Sequence, residues 1–376
     1  MRIILIGNYL QDKQESMQRF EAMLAKCFVA RGIQVDRWRP VAILGALFLS
    51  TNKGAGKWFG YVDKWFLFPL ALCFRRLISG KKNDYYHVCD HSNSPYLQYL
   101  PKYRTVITCH DVIAIKSGLG FADTYVHASR MGTILQKWIL RNLRRAPKLA
   151  AVSQFTLDQL MSLAPDKTEQ QDWRVVSNGF NESFYKLDKA VAAEILLGMG
   201  IASAQRYLLH VGSDLPRKNR LLLLHMVVAL GSNWEGIICF AGNALDEDLA
   251  GLVNKLGLQD RVISIIRPDH RQLLALYGNC EAFIFPSFSE GFGWPVIEAQ
   301  ACGAPVIASS IQPMPEVGGE GALYANPFRA QDFAKAFITL KIKTIKNEVI
   351  RKGYTNTEKF KVETMADQYL KFHLES

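Results

Sequence analysis

The chain has no Cys-x-x-Cys pair, no hydrophobic run long enough to cross a bilayer, no Gly-x-Ser-x-Gly string and few acidic residues in its first half. Its seven cysteines (27, 73, 89, 109, 239, 280 and 302) are scattered, mostly inside apolar runs, with no metal-ligand spacing. They read as buried thiols in a reducing cytoplasm, not as a disulfide framework or a zinc site. The longest uninterrupted apolar core, residues 65–74, is far below the ~20 residues a membrane-spanning helix needs. Met1 opens directly into the strand-like Ile3 to Gly7, so no cleavable leader is expected and the chain is placed in the cytoplasm. Without Gly-x-Ser-x-Gly, the two His-Asp neighbours, Asp90-His91 and His110-Asp111, are not read as parts of a serine hydrolase. Low-complexity tracts and short-period repeats are absent too, which excludes a disordered tail and a solenoid. The acidic shortage is one-sided: residues 1–180 carry 25 Lys+Arg against 13 Asp+Glu, and residues 181–376 carry 20 against 21. Only the first half therefore seeks an acidic partner. No nucleic-acid-binding motif accompanies that charge, so nucleic acid is not the expected one.

What is present is organised around Ser287 to Ala308. The run 281–285 before it is short, apolar and closed by Pro286, which suits a buried strand of a parallel sheet. Pro295 is placed as a first helical residue and Gly303 as the residue just past the end, so a helix of about two turns is expected over 295–302. Gly291 and Gly293 leave the preceding loop free of side chains, letting backbone N–H groups and the helix dipole meet an anion. Two carboxylates, Glu290 in the loop and Glu298 expected on the first helical turn, flank that anion site. Carboxylates suit hydroxyl-rich groups on either side of a diphosphate. The implied ligand is a nucleotide sugar.

The Glu290-Gly-Phe-Gly-x-Pro-x-x-Glu298-Ala string resembles the group 1, or family 4, retaining glycosyltransferases of the GT-B fold, whose signature is a Glu-x7-Glu. That resemblance implies an α/β architecture of two Rossmann-like doubly wound domains facing a cleft. It puts Glu290 beside the transferred sugar, Gly291, Phe292 and Gly293 on sugar and phosphate through their amides, and Glu298 on the nucleotide ribose. The expected division is an acceptor-binding domain over 1–180, a nucleotide-sugar-binding domain over 181–355, and a C-terminal helix, 356–372, crossing back to the first domain.

In the first half, Ile3 to Gly7 followed by a helix-like stretch over 15–31 reads as strand, ligand-facing loop and helix, the opening of a βαβ unit. The loop residues Gly7, Asn8 and Tyr9 are acceptor-binding candidates, although relatives carry a pair of glycines there. Strand-like runs over 85–89 and 104–109 deliver His91, His110 and Asp111 to strand ends, where ligands bind in open α/β sheets. By the resemblance, His110 faces the donor sugar, and His91 and Asp111 lie toward the acceptor. The aromatic stretch 58–79, with Lys53, Lys57, Lys81 and Lys82 around it, either lies on a membrane, with Trp65 and Phe66 inserted, or forms a core helix. An amphipathic stretch over 130–145 ends in Arg141, Arg144 and Arg145.

In the second half, a strand over 206–212 ending at Gly212 leads into Pro216-Arg217-Lys218-Asn219. An Arg fork beside a Lys point charge answers a diphosphate, and the family's basic pair falls here. Glu316, in Pro315-Glu316-Val317-Gly318, resembles another donor-site turn. Asp246-Glu247-Asp248 is read as a helix start, not as a metal site. The activity implied is a retaining, metal-independent hexosyl transfer without a cofactor, with GDP-mannose the favoured donor. The acceptor is a lipid-linked or oligosaccharide chain in surface polysaccharide assembly, at an anionic membrane surface on the inner face. The other readings are a nucleotide-sugar epimerase of the same fold and a non-catalytic sugar-nucleotide-binding protein.

Overall fold

The computed structural model describes residues 1–48, 51, 54–81, 83–125, 128–202 and 204–375. The chain divides into two compact units: Met1–Phe121, His127–Asn181 and Val362–Ser376 form one, and Ala122–Val126 with Glu182–Lys361 form the other.

In the first unit, β1 (Arg2–Ile6), β2 (Gln34–Trp38), β3 (Asp84–Val88), β4 (Thr105–Cys109), β5 (Lys148–Ala151) and β6 (Asp172–Val175) form one sheet in the order β2-β1-β3-β4-β5-β6. Every pairing is parallel. The strand order reverses between β1 and β3, where Ile6 lies opposite Val88. Loops leaving such a reversal part to opposite faces of the sheet and leave a crevice at the strand ends, which is where α/β sheets bind ligands. Edge strand β2 escaped the sequence reading because its Gln34, Asp36 and Arg37 break the apolar run, as charges on edge strands do.

The second unit repeats the plan with β7 (Tyr207–Gly212), β8 (Ile237–Gly242), β9 (Val262–Ile266), β10 (Ala282–Phe285), β11 (Val306–Ser309) and β12 (Ala322–Ala325), in the order β12-β11-β10-β7-β8-β9. Leu209, Cys239 and Phe283 enter one core and their neighbours Leu208, Ile238 and Ile284 enter the other. Burial on both faces explains why these strands read as continuous apolar runs. Here the order reverses between β7 and β10.

The last helix differs from the expected 356–372. A helix Lys343–Thr357 ends in a tight turn Glu358–Phe360, and a separate helix Val362–Leu374 belongs to the first unit. The break keeps Phe360 in the second unit, buried with its ring 5.6 Å from Phe292. Gly179 is required where Val362 passes, because a Cβ there would lie 2.6 Å from the Val362 Cα. The final helix is tied to the sheet by a buried chain: His373 Nε2 lies 3.1 Å from His87 Nδ1, His87 Nε2 2.9 Å from Thr108 Oγ1, and Thr108 Oγ1 2.9 Å from the Tyr369 hydroxyl.

The aromatic stretch resolves into a helix Gly54–Val62, a π turn Asp63–Leu67 and a helix Phe68–Ser79. Its two readings divide between two faces. Phe68 and Leu72 are buried, and the half-buried Trp65 packs on Tyr96 and Trp138 at 5.3 and 5.2 Å, so Trp65 is turned toward the core and not outward. Trp58, Phe66, Leu70, Phe74, Leu77 and Ile78 are exposed. Asp63 pins the segment: it accepts from the Tyr9 hydroxyl at 2.8 Å and from the amides of Gly45, Leu44 and Ile43 at 2.8 to 3.2 Å. Lys53 and Lys82 lie outside the described residues. The helix Arg130–Leu143 stops before Arg144, whose guanidinium turns inward to the Leu163 carbonyl and Asp166. Six cysteines are buried and Cys73 is half-buried, all as free thiols. Among the described residues no helix is long and apolar enough to cross a membrane.

Candidate functional site

The second unit brings its predicted donor residues together at the β7/β10 reversal. The turn Pro216–Lys218 after β7 ends on Asn219 in the left-handed region (φ 54°). The Asn219 side chain donates to the Pro286 and Pro327 carbonyls at 3.1 and 2.8 Å. The Phe288 amide donates to the Arg217 carbonyl at 2.8 Å, so the two loops are stitched before any side-chain charge is considered. Arg217 Nη1 then donates to the Ser289 carbonyl at 2.8 Å and pairs with Glu290 Oε2 at 2.6 Å, while Lys218 Nζ meets Glu290 Oε1 at 2.6 Å. The Lys218 ammonium also stands 5.0 Å over the Phe285 ring.

Lys218 and Glu290 are 9% and 8% exposed, and these magnitudes decide their ionisation. Burial alone would raise the Glu290 carboxyl, but Lys218 and Arg217 outweigh it and hold its pKa at about 2. Burial lowers Lys218 below the ordinary ammonium value, against the pull of Glu290. Glu290 is thus an anion clamped between two cations. Gly212 ends β7 close by, where a Cβ would stand 3.3 Å from His210 Nε2 and 3.7 Å from the Lys218 Cδ.

The helix after the loop runs Trp294–Ala301. It starts one residue earlier than expected, so Pro295 is its second residue and Glu298 lies in the second turn, not the first. Gly293 caps it at φ +100°, and a Cβ there would meet the Met314 Cε at 2.5 Å. Only glycine combines that conformation with that contact. Phe292 is buried against Trp294 and Phe360, so its ring is packing and its backbone is what remains for a ligand. Glu298 is 9% exposed and accepts from the Tyr277 hydroxyl at 3.0 Å. Glu316 is exposed on the short helix Met314–Gly318.

The first unit gathers its candidates at the β1/β3 reversal. A Cβ at Gly7 would crowd the Glu21 carboxylate, lying 2.1 Å from its Oε2. Asn8 is buried: its amide donates to Asp90 Oδ2 at 2.5 Å and to Gln14, and its carbonyl accepts from Asn93 at 2.8 Å. Tyr9 is 2% exposed with its hydroxyl on Asp63, and burial raises its phenol above the usual range. Asp111, two residues before the next helix begins, accepts from the Ile113 amide at 2.9 Å. His110 is buried edge-on to Phe20 at 4.6 Å, its Nε2 2.9 Å from the Cys89 carbonyl oxygen, and burial lowers its pKa. A ring that donates to a carbonyl through Nε2 keeps an acceptor at Nδ1, an atom without a hydrogen-bond partner among the described residues. His91 Nδ1 lies 3.2 Å from Asp90 Oδ1.

Three contributors were missed. Asp90 is the hub of the first-unit cluster, accepting from Asn8, the Ser92 amide at 3.0 Å and the Ser92 hydroxyl at 2.8 Å. Burial favours its neutral form, yet His91, His110 and these donors keep its pKa low. The Asp90-His91 pair was the available signal. Tyr277 as a partner of Glu298, and His210 beside Gly212, carry no sequence mark. Asp246, read as a helix start, caps the Leu249 amide at 2.8 Å and pairs with Arg220.

The profile described as "Glycosyl transferases group 1" matches residues 198–356, and that described as "Glycosyltransferase Family 4" matches residues 17–184. The chain belongs to the group 1 (family 4) glycosyltransferases. This glycosyltransferase is 26% identical over 271 residues to O-antigen chain mannosyltransferase B of Escherichia coli, covering 69% of this chain and 68% of that one. It is 27% identical over 249 residues to the serotype-specific mannosyltransferase WbdA of Escherichia coli, covering 62% of this chain but 28% of that longer protein. Sucrose-phosphate synthase of Thermosynechococcus elongatus superposes with a TM-score of 0.74 at 20% identity, covering 99% and 98% of the two chains. At that identity the likeness establishes the fold: both sheets belong to a GT-B architecture.

Proposed function

We propose that this glycosyltransferase moves mannose from GDP-mannose to a lipid-linked or oligosaccharide acceptor in surface polysaccharide assembly. The observation that carries the reading is the Arg217–Glu290–Lys218 clamp at the head of the helix Trp294–Ala301. Two cations held by one carboxylate at a switch point form a preassembled anion site whose positive charge that carboxylate offsets only in part. A donor diphosphate brings the charge that replaces Glu290 there, and the released carboxylate turns to the hydroxyls of the sugar. Arg217, Lys218 and the amides of Gly291 to Gly293, beside Gly212, stabilise the leaving phosphate. Glu298, held by Tyr277, receives the ribose, and Glu316 lies on the donor side. Configuration is retained and no metal takes part.

The acceptor falls to the first unit, to Gly7, Asn8, Tyr9, His91 and Asp111 at the strand ends around the Asn8–Asp90–His91 contacts, and His110 presents Nδ1 to a sugar hydroxyl. Tyr9 serves by holding the loop, since its hydroxyl is engaged by Asp63. Work at the inner face of an anionic membrane is supported by the basic excess of the first half and by the exposed Trp58, Phe66 and Phe74. The mannosyltransferase names of the relatives support the sugar. Purified protein incubated with labelled GDP-mannose and membrane extract tests this: label enters lipid or glycan, with or without EDTA. Interconversion of free nucleotide sugars without transfer identifies an epimerase, and binding without turnover identifies a non-catalytic protein.

A further inference from the structure

Resting on that reading, the structure assigns a second site, in the first unit, for a phosphate group carried on an apolar chain. A cavity of about 420 Å³ is lined by Lys57, Trp58 and Tyr61 from one helix and by Ser129, Arg130 and Met131 from the start of another. Among the described residues, neither Lys57 nor Arg130 has a carboxylate partner. Nearby carboxylates are already engaged: Asp63 holds Tyr9 and three amides, and Asp12, in the loop after β1, pairs with Lys64 at 2.8 Å. The Lys57 ammonium lies 5.8 Å over the Tyr61 ring, a contact that orients the cation without neutralising it. Ser129 caps its own helix by accepting from the Gly132 amide. What the cavity offers a ligand is therefore two cations and aromatic walls.

That chemistry selects the ligand class. Among the described residues no lining side chain is a carboxylate or carboxamide, so beyond the Ser129 and Tyr61 hydroxyls they offer few acceptors to read sugar hydroxyls or a nucleobase edge. An Arg fork with a Lys point charge fits a phosphate. The surroundings fit a chain attached to it: Trp58 is 54% exposed and Met131 44%, and the same two segments expose Phe66, Phe74 and Ile134. A phosphate without an apolar chain would leave those groups in water. The shared chemistry is a lipid phosphate, supplied either by the acceptor or by a bilayer headgroup.

The test measures binding of farnesyl phosphate below its micellar range, inorganic phosphate, and phosphatidylglycerol against phosphatidylcholine vesicles, with GDP as a control for the second unit. Lys57→Gln and Arg130→Gln are expected to weaken farnesyl phosphate binding about tenfold each. Trp58→Ser is expected to bring it down to the level of inorganic phosphate, and GDP affinity should stay unchanged throughout. Loss on the farnesyl phosphate arm identifies the acceptor as the source. Loss on phosphatidylglycerol vesicles alone identifies the headgroup. Equal binding by wild type and the double Gln variant on both arms, or no binding by wild type on either, overturns the site. If GDP fails to bind wild type while the lipid arms still depend on Lys57 and Arg130, the donor reading falls and this site stands.

Discussion

The two units place their ligand candidates at the same topological position and equip it oppositely. At the β7/β10 reversal, two cations close on one carboxylate whose pKa is held at about 2. At the β1/β3 reversal, Asn8, Asn93, Ser92 and two imidazoles surround Asp90, and burial lowers the pKa of His110. The first arrangement suits a ligand that arrives charged, and the second suits hydroxyls. The positive excess of the chain nevertheless lies in the half without the ionic clamp, where it is carried on the exterior. Charge count alone would have put the ionic clamp in the wrong unit.

The largest effect is expected from breaking the clamp. Glu290→Gln should abolish transfer, measured as label moved from GDP-mannose, and should destabilise the second unit by about 3 kcal/mol by removing the charge that offsets the buried Lys218. The same variant should bind GDP at least as tightly as wild type, because the competing carboxylate is gone. Weaker GDP binding would mean that Glu290 itself holds the nucleotide. The clamp also sets an acid limit. The folded pKa of Glu290 lies below its ordinary value of 4.5, so its stabilisation is fully present above that pH and is lost as pH falls toward about 2. Denaturant unfolding should show the wild-type advantage over Glu290→Gln shrinking across that window.

Smaller effects sharpen the comparison. Glu298→Ala should raise the donor KM with little change in kcat, since ribose contacts serve ground and transition states alike. Tyr277→Phe should reproduce a fraction of that effect, about fivefold, for one neutral hydrogen bond. In the first unit, Trp65→Ser should cost about 3 kcal/mol by emptying an aromatic core position. Phe66→Ser should leave unfolding unchanged and weaken binding to anionic vesicles only. Equal stability of those two variants would dissolve the division between the faces of the segment.

The site of the second unit was legible because its chemistry is local in sequence: a strand, a glycine loop and a capped helix put Glu290 and Glu298 in one short string, and Arg217-Lys218 stands at another strand end. Asp90 was harder to single out, since its role comes from Asn8 and His110, brought to it by parallel pairing of β1, β3 and β4. The orientation of Trp65 and Phe66 was hidden for a different reason. Six of the eleven positions from 58 to 68 are aromatic and they follow no single helical period, so periodicity selects no face, and the π turn at Asp63–Leu67 shifts the helical register in their midst. The break after Thr357 had no turn signal, because Phe360 is held by a tertiary contact with Phe292.

The central claim is that the donor diphosphate is held in the second unit by Arg217 and Lys218. Calorimetric titration of GDP into wild type, Arg217→Ala, Lys218→Ala and His110→Ala tests it most directly. Each of the first two substitutions should weaken binding by about ten- to a hundredfold, for the loss of a charge-assisted contact of roughly 1.5–3 kcal/mol, and His110→Ala should leave it unchanged. GDP bound by Arg217→Ala and Lys218→Ala as tightly as by wild type would contradict the account.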